Sequence, residues 1–98
     1  MSNLAFEEAK EKNMERLEQF TPIVLRVHGD NHPEMNEVND LFNQLREKIK
    51  TADKHPDLEA EFHKLRDVTQ NYEIPNDVCE SYEAVYNMLE ELDLAYHE

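Results

Sequence analysis

Val78, Tyr82, Val85, Leu89, Leu92 and Tyr96 recur at alternating intervals of four and three residues. That spacing draws one narrow apolar stripe along a single helix, the kind of seam through which helices of a bundle pack. The rest of the chain repeats the message. Met35, Val38, Leu41, Phe42, Leu45 and Ile49 define a second amphipathic helix, and Leu58, Phe62, Leu65 and Val68 a third. The first segment is looser: Phe6, Ala9, Met14, Leu17 and Phe20 fit a helix, and Thr21-Pro22 is expected to kink or restart it toward Val27. No strand-like alternation competes with these patterns.

Prolines punctuate the segments. Pro22, Pro33, Pro56 and Pro75 each precede a helical pattern and are expected in first turns, where the missing N–H costs nothing. The single glycine, Gly29, falls in "VHGDNHPE", where a helix end and a turn are expected. At 98 residues the chain is one domain, residues 1–98, with room for one modest core. The fold class that follows is all-α: a four-helix, up-and-down antiparallel bundle.

Charge is distributed unevenly. The net charge is −13, and from Asp67 to Glu98 there are nine acids and no lysine or arginine. Such a surface repels phosphates and anionic lipid, so neither nucleic acid nor membrane is an expected partner. It suits cations, a basic protein partner, or solubility alone. Cys79 is the single cysteine, so no intrachain disulfide forms, and its place before the last helix is expected to be that of a small packed residue. With neither a signal-like leader nor a run of about 20 apolar residues, a cytoplasmic location is expected.

"HPEM" at His32–Met35 and "HPDL" at His55–Leu58 pose the chemical question. Each histidine stands before a helix-initial proline with an acid following, Glu34 or Asp57, which suits the positive end of a helix dipole. Both are therefore expected as helix caps, although Asn, Asp or Ser would cap better. The second stretch carries more. His55, Glu59 and His63 fall at i, i+4 and i+8, stacking imidazole, carboxylate and imidazole along one stripe beside the core positions. Bundle proteins present metal ligands at such spacings, so these three residues are the candidate metal site, set against a plain solvated helix edge. The four tyrosines, Tyr72, Tyr82, Tyr86 and Tyr96, read as core and rim residues. A glycine-rich phosphate loop, a paired-cysteine zinc spacing and a nucleophile triad are all missing from the sequence.

"FTPIVLRVHGDNHPEMNEVNDLF" and "LRDVTQNYEIPNDVCESYEAVYNMLEEL" resemble segments of the hemerythrin-like di-iron domain of the iron–sulfur cluster repair family, the Ric or ScdA-like proteins. The second is the more specific, matching the family at Leu65–Thr69, Tyr72, Pro75, Asp77, Cys79, Tyr82, Tyr86, Leu89, Glu91 and Leu92. Together the two cover about half the chain. The resemblance implies a four-helix bundle and a di-iron site serving repair of clusters damaged by nitrosative or oxidative stress. Its ligands mostly do not carry over. His55 falls at the third-helix ligand position, whereas no histidine precedes His28 and "REKIKTADK" after Leu45 lacks the second-helix His-x-x-x-Glu. The last-helix ligand motif would begin just past Glu98, with His97 two positions early, and the connection between helices two and three is shorter than the family's.

The expected function is accordingly that of a small non-catalytic relative of the repair proteins. It would be a helical interaction or regulatory module without a resident cofactor, docking a protein through its acidic C-terminal face. The alternative is a metal-handling protein that holds iron or zinc weakly through His55, Glu59 and either His63 or His97, or that completes a site across a homodimer.

Overall fold

The computed structural model describes residues 4–52 and 56–98. Four helices account for most of them: α1 (Leu4–His28), α2 (Glu34–Thr51), α3 (Glu59–Thr69) and α4 (Glu80–Tyr96), with no strand among the described residues. Cross-links between the helices fix their directions. Phe6 near the start of α1 meets Tyr96 at the end of α4, ring centroids 5.3 Å apart, while His28 at the end of α1 meets Cys79 just before α4. Arg46 reaches Glu18 between α2 and α1, and Lys48 reaches Glu61 between α2 and α3. Consecutive helices therefore run antiparallel, in an up-and-down four-helix bundle 41 Å long and 22 Å across. At 1.5 Å per residue, the 25 residues of α1 nearly span that length.

The seam positions of α4 turn inward: Tyr82, Val85, Leu89 and Leu92 are essentially inaccessible and Tyr96 is buried. They pack with Met35, Val38, Leu41, Phe42 and Leu45 of α2, and with Phe62 and Leu65 of α3. The weak signal of the first segment has a specific cause. Its inward stripe is Phe6, Ala9, Asn13, Leu17, Thr21 and Val24, so two core positions hold polar residues. Asn13 Nδ2 donates to the Ala9 carbonyl at 3.0 Å and to the Glu91 carboxylate of α4, which satisfies it inside the core.

The expected break at Thr21-Pro22 does not occur, because α1 continues through it. Pro22 and Glu18 both lie on the exposed face, so the carbonyl that proline leaves unpaired one turn earlier can bond water. Buried Leu17 and Val24 hold the helix on either side. The other prolines also sit earlier than expected. Pro33 is the N-cap residue of α2, and Pro56 and Pro75 lie in the connections before α3 and α4. Gly29 does end α1: its N–H bonds the Leu25 carbonyl at 2.8 Å, and a Cβ there would stand 2.5 Å from that oxygen.

Helix α3 ends in three consecutive left-handed residues, Gln70, Asn71 and Tyr72, with φ of 53°, 60° and 62°. For non-glycine residues this costs about 1–2 kcal/mol each, so the surroundings must enforce it. Asn71 N–H bonds the Arg66 carbonyl at 2.8 Å, and Tyr72 N–H bonds Thr69 Oγ1 at 2.8 Å. The buried Tyr72 hydroxyl then donates to Asp93 of α4 at 2.7 Å, anchoring the turn to the core.

Candidate functional site

At one end of the bundle, the α1–α2 turn and the α3–α4 connection meet over the start of α4. His28 Nε2 lies 3.1 Å from Cys79 Sγ, and the His28 ring packs edge-on against Tyr82, as does the His32 ring, with centroids 5.3 and 5.4 Å away. Cys79 is exposed and occupies the N-cap of α4, which corrects its expected place as a packed residue. The reason is geometric: Val78 before the helix and Tyr82 within it pack toward the core, and position 79 between them lies outside the first turn and faces outward.

His32 is not a cap. The N-cap of α2 is Pro33, no side chain caps that helix, and His32 instead sits between two carboxylates. Its Nδ1 lies 3.0 Å from Glu34 Oε2 and its Nε2 lies 2.9 Å from Asp77 Oδ1. Both ring nitrogens face acceptors, and only the imidazolium can donate to both. The hydrogen bond to Glu34, reinforced by Asp77, raises the His32 pKa above its ordinary value despite partial burial. Beyond Glu34 the contacts continue inward through Tyr82 to Tyr86, hydroxyl to hydroxyl at 3.0 Å. Burial pushes both phenols upward, so they remain neutral donors and acceptors at physiological pH.

The opposite end holds Glu59 and His63, two of the three residues singled out for metal binding. His55 lies outside the described residues. Glu59 and His63 do not converge: His63, exposed, pairs with Asp67 at 3.5 Å, whereas Glu59 Oε1 receives His97 Nε2 at 2.7 Å. The other His97 nitrogen, Nδ1, faces the Asp93 carbonyl oxygen at 2.8 Å and its carboxylate at 2.9 Å. Burial pulls the His97 pKa down, but the Asp93 carbonyl and the Glu59 carboxylate outweigh it and the net direction is up. Asp93 is itself buried and accepts from Arg66 at 2.8 and 3.0 Å and from Tyr72. Among the described residues, no three His, Cys, Asp or Glu side chains converge in a way that could hold a metal ion.

Sequence reasoning missed the His28–Cys79 and His32–Asp77 contacts, which join positions 51 and 45 residues apart. Nothing periodic marks them, since all four residues lie in helix-terminal or connecting positions. Asp93 was hidden for a different reason: one more acid in an acid-rich helix gives no sign that it faces inward.

In an alignment of 125 residues, the chain is 21% identical to the iron-sulfur cluster repair protein ScdA of Staphylococcus haemolyticus (strain JCSC1435), covering 95% of this chain and 56% of that protein. The chain thus spans little more than half the length of this relative, and the similarity is consistent with distant relatedness. No protein-family model matches the chain, and no solved structure does. No helix among the described residues is long and apolar enough to cross a membrane.

Proposed function

We propose that this chain is a small non-catalytic relative of the iron–sulfur cluster repair proteins, a hemerythrin-like helical module that binds a protein partner through the acidic surface of its C-terminal third. One observation carries the reading. Of the nine acids from Asp67 onward, lysine or arginine reaches only Glu91, through Lys12 at 3.2 Å, and Asp93, through Arg66 at 2.8 Å, among the described residues. Glu73, Glu80, Glu83 and Glu98 stand exposed with no basic partner there. Uncompensated charge of one sign steers a partner of the other sign and suppresses wrong ones. The similarity to ScdA suggests that the partner is a full-length repair protein or an iron–sulfur protein under repair.

The use of the histidines supports the same reading. His28 and His32 lie at one end of the bundle and His97 at the other, each engaged with a different partner, whereas a di-iron centre in a bundle draws about six ligands from four helices to one place. A second reading rests on the 2.7 Å contact of Glu59 with His97: a weakly held iron or zinc ion would take the place of the proton these groups share, with His55 or a second subunit supplying further donors.

The deciding experiment uses untagged protein from iron-supplemented cells, analysed for metal and then mixed with full-length ScdA in sedimentation velocity runs. The module reading expects less than one iron per chain and a discrete complex. Two irons per chain with oxo-bridge absorption would overturn its non-metal part, and the absence of any complex would remove ScdA as the partner.

A further inference from the structure

Along their outer faces α1 and α4 leave a groove of about 580 Å³. Its floor is made of small side chains, Ala5 and Ala9 from α1 and Ala95 from α4. Leu94 stands at its edge with 68% of its surface exposed, and Leu4, equally exposed, immediately precedes Ala5. Exposed leucines are ordinary when scattered, but Leu94 borders an alanine-floored channel. Carboxylates flank the strip: Glu8 from α1, Glu90 from α4 and Glu98 just beyond its end, none of which has an ion-pair partner among the described residues. The one basic residue in the lining, Lys12, is tied to Glu91 at 3.2 Å.

We infer that this groove is the docking surface of the module, and that its occupant is a basic amphipathic helix of the partner protein. A bulky apolar side chain of that helix lies over the alanines beside Leu94, and flanking lysines or arginines meet Glu8, Glu90 and Glu98. The inference rests on the interaction-module reading and names the chemistry of the partner. Small residues on a groove floor let a partner helix approach closely, and an apolar strip with charged borders is what an i, i+3, i+4, i+7 set of anchors recognises. Charge selects among occupants. A second copy of this chain carries the same −13 and would bring one acidic rim against another, as would any acidic helix. A basic helix meets complementary charge on both borders.

The test titrates the whole protein against a fluorescein-labelled synthetic helix of leucine and lysine at heptad spacing, read by fluorescence anisotropy. A lysine–serine peptide of equal length and charge is the control. The leucine–lysine helix is expected to bind at least ~10-fold more tightly than the control, and Leu94→Ser to remove most of that advantage. Glu90→Lys combined with Glu98→Lys should weaken binding of both peptides and flatten the salt dependence. The same charge change on α2, Glu37→Lys with Glu47→Lys, should weaken binding far less. All four positions are at least partly exposed, so circular dichroism should confirm an unchanged fold. Equal binding of the two peptides, or no effect of Leu94→Ser, overturns the groove in favour of diffuse attraction. Self-association abolished by Leu94→Ser overturns it in favour of a second copy. If a complex with ScdA forms and survives these substitutions, the groove is wrong and the module reading stands. If the peptide binds as described but no repair protein does, the groove stands and the choice of partner falls.

Discussion

Nε2 of His32 lies 2.9 Å from Oδ1 of Asp77, joining the turn before α2 to the connection before α4, while Nδ1 of the same ring lies 3.0 Å from Glu34. This double contact turns a residue that looks like a helix cap into a charged clamp between two loops. His32→Asn, neutral or slightly stabilising if the residue were a cap, is expected to destabilise. An asparagine amide cannot span both carboxylates and carries no charge. Asp77 is largely exposed, so solvent screening limits the cost to about 0.5–1 kcal/mol. The folded-state pKa is raised, so the stabilisation is full below the unfolded value of about 6.5 and is lost as pH rises through the higher folded value. Urea denaturation of wild type and variant across that window should show their difference shrinking with increasing pH. A difference that is constant, or that grows with pH, rejects the clamp.

The packing of α4 is tested by Leu89, which is completely buried. Leu89→Ala should cost roughly 2–5 kcal/mol through lost burial and the cavity left behind. Glu83→Ala, on the exposed face of the same helix, should change stability by less than ~0.5 kcal/mol. Equal shifts in chemical denaturation would mean that the inward face is misassigned.

Asp93 offers a sharper contrast with its acidic neighbours. Its carboxylate accepts from Arg66 and Tyr72 and faces His97, so Asp93→Ala strips Arg66 and Tyr72 of their acceptor at once, while His97 keeps the backbone carbonyl of position 93. Breaking a buried pair by removing one partner costs about 3–5 kcal/mol, and because Arg66 is one-third exposed and can be rehydrated, about 2–3 kcal/mol is expected. Asp93→Asn keeps an acceptor for Tyr72 and should lose less. Thermal unfolding that orders wild type, Asp93→Asn and Asp93→Ala by decreasing stability supports the network; an Asp93→Ala variant as stable as wild type refutes it.

Much of the fold was legible because periodicity is a local property. The seam of α4 and the stripes of α2 and α3 needed only the identities of residues three and four apart, and each reappears in the core. The course of α1 was less readable, since Asn13 and Thr21 interrupt its apolar stripe and Pro22 looks like a break unless its exposed setting is known. Side-chain pairings were the least legible. Glu59 and His63 share a helical spacing, yet the structure gives Glu59 to His97 and His63 to Asp67, because which edge of α3 faces α4 depends on tertiary packing. His32 was read from its neighbour Pro33, but its partner Asp77 lies 45 residues away.

Metal binding provides the last prediction. Glu59 and His97 are already within 2.7 Å of each other, and His97 is held on its other side by Asp93, so an incoming ion competes with a proton and with an established hydrogen-bond network. The His97 pKa is raised, so at neutral pH more of this imidazole is protonated than usual and unavailable for ligation. Anaerobic titration with iron(II) or zinc is therefore expected to give weak binding of at most one ion per chain, tightening as pH rises through the His97 titration. Glu59→Ala and His97→Ala should each abolish that binding, whereas His63→Ala, whose ring faces Asp67, should leave it unchanged. His55→Ala separates the two readings of the "HPDL" stretch: loss of binding makes His55 a third donor, and wild-type binding makes it part of the connection only. Tight binding of two ions per chain, unaffected by Glu59→Ala, would place the site elsewhere and overturn the assignment to this end of the bundle.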